Sequence, residues 1–203
     1  MEILDEQLDE LPPDRIKEIL DTVRKTTNET YTLLMNLLNW AMAQRGQISI
    51  NLQNLPIKDL LEPNVKQYSG LAQKKNVRIK WEVPADLKAN FDIETMSVVI
   101  RNLISNAIKF SHGGEEVVIR SWQEQRSILI SVKDHGIGIP LENQDKLFIL
   151  DTQSNTKGTE NESGTGLGLI LCKDFVAMNN AQITVISQFG EGSEFIISFN
   201  LPD

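Results

Sequence analysis

Apolar residues recur along this chain with two different periods, and the changes of period divide it. From Arg15 to about Arg45 there is neither Gly nor Pro. Within that run Ile16, Ile19, Leu20, Val23, Thr27, Thr30, Leu34, Leu37, Leu38 and Ala41 return at steps of three and four, the spacing of an amphipathic helix. About 30 residues at 1.5 Å each make a helix of about 45 Å, which suits a bundle or coiled coil better than a compact domain. Residues 1–10 read as the end of another helix, with Ile3, Leu4 and Leu8 on one side, and Pro12-Pro13-Asp14 separates the two. So short a helix covers only part of the long one's stripe. The expectation is an incomplete helical hairpin over 1–45 that packs against another chain or another segment.

After Gly46 the period shortens. "ISINL" alternates as a strand, residues 57–76 read as a helix with an irregularity at Pro63, and "VRIKWEV" alternates again. A polar turn leads to "NFD" and a helix over 93–111. Two strands follow in "EEVVIRSWQE" and "RSILISVKD", then the glycine-rich loop "HGIGIP". Residues 150–166 form a long polar stretch of the kind that binds or covers a ligand. "LGLILCKDFVAMN" reads as a helix, and "AQITVISQ" with "SEFIISFNLP" as a closing hairpin. Strands and helices interleave, yet several strand pairs are joined by tight turns. The expected class for 46–203 is therefore α+β, a two-layer α/β sandwich rather than a doubly wound parallel sheet.

Polar residues that break this pattern carry the candidate chemistry. In "NLISNAIKF" Asn102, Asn106 and Lys109 sit at i, i+4 and i+7, on one face of a helix whose other face is apolar through Leu103, Ile104, Ala107, Ile108 and Phe110. Two amides and an ammonium ion there need partners, since unpaired buried polar groups cost free energy. Two glycine-rich stretches accompany them, "DHGIGI" at 134–139 and "GTGLGL" at 164–169. Taken singly each has a plain reading: a polar seam between helices, a turn carboxylate, ordinary glycine turns. In this order and spacing they make a strong joint signal.

Charge and composition narrow the partners. A net charge of −8 argues against nucleic acid or an anionic membrane, both of which select clustered Lys and Arg. The one cysteine, Cys172, excludes an internal disulfide and fits a reducing compartment. No apolar run is long enough to span a bilayer, and the acidic start "MEILDEQLDE" does not have the form of a signal peptide, so this stretch is expected in the cytoplasm without membrane contact of its own, whether or not a longer parent protein is anchored in a membrane.

Together the three stretches resemble the N, G1 and G2 boxes of the GHKL superfamily, whose members bind ATP in the Bergerat fold. Among them the catalytic domain of bacterial sensor histidine kinases is most alike, over 46–203, with a G3-like "FGEGSEF" near the end. "KLFIL" at 146–150 stands in the F-box position but keeps only Phe148 of the usual aromatic pair. The resemblance implies that Asn106 ligates Mg²⁺ through its amide oxygen, that Lys109 reaches a phosphate, and that Asn102 faces the phosphates or a metal-bound water. It implies that Asp134 accepts a hydrogen bond from the adenine amine, where guanine would present an acceptor. Gly136 and Gly138 would let the backbone approach base and sugar. Gly164, Gly166 and Gly168 would turn N–H groups toward the phosphates at a helix start, with Thr165 donating its hydroxyl. Phe110, Ile139, Leu167 and Leu169 complete the implied nucleotide-binding set. Lys157 reads either as a clamp on the terminal phosphate or as a solvated loop lysine.

What is missing chooses the branch. ATP-hydrolysing members carry a Glu where this chain has Asn102, and an amide cannot take a proton at neutral pH. The resemblance therefore implies a kinase that passes the γ-phosphoryl group to a histidine. The chain has two, His112 beside the N box and His135 inside the G1 box, neither in the expected hairpin. The phosphoacceptor is thus expected on a helical hairpin outside this sequence, and the chain reads as a truncated sensor kinase. A response-regulator receiver domain and a homodimer through the helical segment are the implied partners. The alternatives are a nucleotide-responsive interaction module without turnover and a GHKL-type ATPase.

Overall fold

The computed structural model describes residues 12–149, 158–160, 162 and 166–201. The helix expected over 1–10 lies outside them. The long helix is present as α1, Pro13–Gln44, with Pro13 at its first position, where the missing N–H is no loss. It is 32 residues and about 48 Å long. Leu20, Val23, Tyr31, Leu34, Leu37 and Leu38 are exposed along it. Among the described residues its C-terminal third is covered in part: Asn36 is buried, Trp40 and Ala43 pack on the core, and Gln44 Nε2 donates to Asp174 Oδ2 at 3.3 Å.

The remainder builds β1 (Gln53–Pro56), α2 (Ile57–Lys74), β2 (Arg78–Glu82), β3 (Lys88–Phe91), α3 (Ile93–Phe110), β4 (Glu116–Glu124), β5 (Ser127–Lys133), the short α4 (Leu141–Gln144), α5 (Leu167–Met178), β6 (Ala181–Gln188) and β7 (Gly192–Asn200). Five strands form one sheet in the order β2-β4-β5-β7-β6. Only β2 and β4 run parallel; the other neighbours are antiparallel. Helices α2, α3 and α5 lie together as the second layer, the expected two-layer sandwich. Alternate strand residues enter the core between the layers: Val117 and Ile119 of β4, Ile128, Ile130 and Val132 of β5, and Phe195, Ile197 and Phe199 of β7. The apolar face of α3 meets them through Met96, Val99, Ile100, Leu103, Ile104 and Ile108.

Three local expectations need correction. "ISINL" is irregular, and the strand begins only at Gln53. Ile48 and Ile50 do alternate inward, but a strand needs a ladder partner, and the one available, β3, pairs with Gln53–Pro56. β3 itself is a four-residue strand within the stretch read as a turn. Pro63 does not disturb α2. It removes one hydrogen bond, that to the Asp59 carbonyl, and both residues are exposed, so water can take its place.

The start of α3 is held from three directions. Asp92 caps it, Oδ1 accepting from Thr95 N at 2.8 Å, while Oδ2 accepts from Asn51 N at 3.1 Å. Buried Asn179, at the end of α5, accepts from Asp92 N at 2.6 Å and donates to Thr95 Oγ1 and the Phe175 carbonyl. Burial works to raise the Asp92 carboxyl, but the hydrogen bonds from Thr95 and Asn51 outweigh it and hold it below its ordinary value. The helix bearing the polar row is thereby fixed against both α5 and the β1–β3 pair.

Candidate functional site

The polar row of α3 sits where the apolar stripe ends. Asn102, Asn106, Lys109 and Phe110 are each half-buried, beside fully buried Leu103, Ile104 and Ile108. Asn102 donates Nδ2 to the Val98 carbonyl at 3.1 Å. Its Oδ1 faces the start of α5, so close that a Cβ at Gly168 would lie 2.8 Å away. The amide of Asn106 has no hydrogen bond to another described residue. Lys109 Nζ stands 4.7 Å from the centre of the Phe110 ring.

At the other end of this row, about 12 Å along the helix, the loop after β5 meets α3. Ile137 N donates to the Phe110 carbonyl at 3.2 Å. Gly136 rests on the same carbonyl, and a Cβ there would come within 1.9 Å of the oxygen. Gly138, with φ +64°, lies against the Gln188 carbonyl, which a Cβ would approach to 2.0 Å. Both glycines are required by the protein's own packing, a reason the sequence did not reveal. Ile139 is half-buried on the core and donates its N–H to Ser187 Oγ at 2.8 Å.

Asp134 is the most unusual group here. It is 4% exposed, and its Oδ1 accepts from Gly136 N at 3.0 Å and Ser193 N at 3.2 Å. Among the described residues Oδ2 has no donor. Burial pushes the carboxyl up, and the two amides recover only part of this, leaving it at about 6. Gly192 and Ser193, at the start of β7, complete the seat: Asp134 N donates to the Ser193 carbonyl, and a Cβ at Gly192 would lie 2.2 Å from the Asp134 carbonyl. The "FGEGSEF" stretch carried that signal only as a resemblance. A buried carboxylate held by one oxygen, with the other unengaged, suits a ligand that brings an N–H donor.

The third stretch enters as the start of α5. Gly166, left-handed at φ +69°, stands at the N-cap and offers no side-chain acceptor of its own. Leu167 and Leu169 are half-buried, Leu169 against the core. Gly164, Thr165 and Lys157 lie outside the described residues. The structure thus sets Gly168 against Asn102 and Gly136 against the Phe110 carbonyl, with Asp134 held beside Gly136. His112 and His135 are exposed, and His135 Nδ1 lies 2.8 Å from the Glu116 carbonyl. Among the described residues no cluster of His, Cys, Asp and Glu could hold a metal by itself.

Comparison with known proteins places the chain among its relatives. Residues 91–203 match the family described as histidine kinase-, DNA gyrase B- and HSP90-like ATPase. The sensor protein SrrB of Staphylococcus aureus (strain N315) is 29% identical over 191 residues, 94% of this chain and 33% of SrrB. The chain therefore spans about a third of the length of such relatives. Among solved structures, the Acinetobacter baumannii histidine kinase AdeS superposes with a TM-score of 0.73 at 19% identity, covering 99% of this chain and 94% of that one. Histidine kinase ThkA, solved in complex with the response regulator TrrA, gives a TM-score of 0.73 at 18% identity over 98% of this chain and 56% of that one. At these identities the structures establish the fold.

Proposed function

Since the chain belongs to the histidine kinase-, DNA gyrase B- and HSP90-like ATPase family, we propose that it is the Mg-ATP-binding catalytic module of a sensor histidine kinase. The observation that carries this reading is the Asp134 carboxylate, buried and held by one oxygen, in the loop that rests on the Phe110 carbonyl at the end of the helix bearing Asn102, Asn106 and Lys109. The adenine amine would donate to Asp134 Oδ2. The triphosphate would run toward Lys109 and the start of α5, where the helix's positive end favours anions. Gly164 and Thr165 join this set by motif.

The residues present fit a magnesium ion. Asn106 offers an amide oxygen with no protein partner among the described residues, and Mg²⁺ commonly takes one or two protein ligands and fills its shell with phosphate and water. When bound, the ion neutralises charge on the phosphates as the γ-phosphoryl group moves. The chain's own part is positional. Asp134 fixes the base, Asn106 and Lys109 fix the tail, and Asn102, an amide already bonded to Val98, provides no base to activate water. The acceptor is then a histidine other than His112 and His135, on a helical hairpin to which α1 contributes one helix. Exposed Leu20, Val23, Leu34 and Leu38 suit pairing with a second copy. A receiver domain would take the phosphoryl group onward. The division at residue 45–46 separates this helical part from the nucleotide-binding part, and a cytoplasmic location follows from the substrate.

The test is transfer from γ-labelled ATP. Label should reach a histidine-bearing hairpin supplied in trans and leave the chain itself unlabelled. Steady phosphate release that Asn106→Ala abolishes, with no transfer to the hairpin, would instead favour an ATPase.

A further inference from the structure

Lys75 is an ammonium group in an unexpected place. It follows α2 directly, in the polar run "AQKKN", yet its side chain is 6% exposed. Its Nζ donates to the Lys109 carbonyl at 2.6 Å and to Glu162 Oε1 at 2.5 Å. The Lys109 carbonyl is one of the last four of α3, where no donor from the helix itself follows, so a cation there meets an acceptor at the negative end of the helix. Glu162 in turn accepts from Glu160 N at 2.7 Å and, through its carbonyl, from Gly158 N at 2.9 Å. Burial works to raise the Glu162 carboxyl, but the bonds from Lys75 and Glu160 leave it below its ordinary value.

The rest of this turn is fastened to the same helix end. Thr159 donates its N–H and its hydroxyl to the Lys109 carbonyl, both at 3.2 Å, and the hydroxyl also reaches the Ser111 carbonyl at 2.7 Å. Gly158 then lies against the Lys109 side chain, where a Cβ would stand 2.6 Å from Cγ. A buried Lys–Glu pair is poor evidence of stability, because desolvation offsets most of the attraction. Its definite product here is geometric: residues 158–160 and 162 are pinned over the stem of Lys109.

We infer that Lys75 is a positioning residue for the phosphate tail, acting through Glu162, whose turn walls the stem of Lys109, and so fixing its ammonium group. The inference rests on the nucleotide reading above, in which Lys109 meets a phosphate. It separates two parts of the ligand. Adenosine, which has no phosphate, should be indifferent to Lys75, and ATP should not.

The experiment measures dissociation constants for Mg-ATP and for adenosine with the whole chain, its Lys75→Met, Lys75→Arg and Glu162→Ala variants, and Lys75→Met combined with Lys109→Met. Supporting partners of a ligating group are commonly worth about 10- to 100-fold, so Lys75→Met and Glu162→Ala should each weaken ATP about tenfold. Adenosine binding should not change, Lys75→Arg should recover part of the loss, and Lys75→Met should cost nothing further once Lys109 is Met. If Lys75→Met does not fold, the partly exposed Glu162→Ala decides alone. Variants that bind ATP as the parent does, or that lose ATP and adenosine in equal proportion, would overturn the inference. A parent chain that does not bind ATP would reject the nucleotide site itself, and the anchor with it.

Discussion

Replacing Asp134 by Asn should make the protein more stable and less able to bind ATP. The carboxyl ordinarily titrates near 3.8 and here is raised to about 6. A native-state pKa above the unfolded one means that the folded protein holds the proton more tightly. Stability from this group is therefore complete below about pH 4, is lost as pH rises toward 6, and stays flat above it. A rise of about two units corresponds to about 3 kcal/mol of strain carried by the ionised form at neutral pH. Asn removes that charge and keeps Oδ1 for Gly136 N and Ser193 N, which fixes the amide orientation and leaves Nδ2 in the place of Oδ2. The gain at pH 7.5 should be about 2–3 kcal/mol, or about 5–10 °C in Tm for a chain of this size. ATP then meets an N–H donor where its amine needs an acceptor. Losing a charged hydrogen bond and leaving polar groups unpaired should weaken binding about 100-fold. Melting curves of both proteins from pH 4.5 to 8, with calorimetric titration at pH 7.5, make the comparison. The stabilisation should fade toward pH 4.5, where the parent's carboxyl is itself neutral. An Asn variant less stable than its parent at pH 7.5, or a gain that does not depend on pH, would show that Asp134 is not a strained carboxylate.

Four shorter predictions accompany it. Asn106→Ala should abolish the increase in ATP affinity caused by Mg²⁺ while leaving adenosine binding intact; an undiminished magnesium effect in paired titrations would reject the ligand assignment. Gly136→Ala forces a methyl group into the Phe110 carbonyl and should cost about 1–3 kcal/mol in urea unfolding. Gly70→Ala, inside α2 with nothing within 4 Å of the new methyl, should add up to about 1 kcal/mol by the same measurement. Asn179→Ala leaves the Asp92 N–H and the Phe175 carbonyl without their side-chain partner and should cost about 2–4 kcal/mol; a loss under about 0.5 kcal/mol would mean that water replaces the amide.

Legibility in the sequence followed physical range. The helix of the polar row was readable because both its stripes repeat within a few residues, and β4 through β7 because alternation is local. β1 was misplaced because Ile48 and Ile50 alternate as a strand does, and only the distant β3 decides which residues pair. β3 itself is four residues long and follows a polar turn, too short a run to register a period. At the site, Asn102, Asn106 and Asp134 could be picked out by residue type and spacing. The reason for Gly136 and Gly138 could not, because the atoms they avoid belong to Phe110 and Gln188. Lys75 was invisible for the same cause: beside Lys74 at a helix end it reads as solvated, and its partners lie 34 and 87 residues further on.

The central claim is that the Asp134 carboxylate recognises a purine while Asn106 and Lys109 of α3 hold its magnesium-bearing phosphates. Parallel calorimetric titrations of ATP and GTP with Mg²⁺ into the unaltered chain test this most directly. The account predicts saturable heat with ATP and none with GTP, whose carbonyl oxygen would face Asp134. Equal binding of the two nucleotides, or none of either, would contradict it.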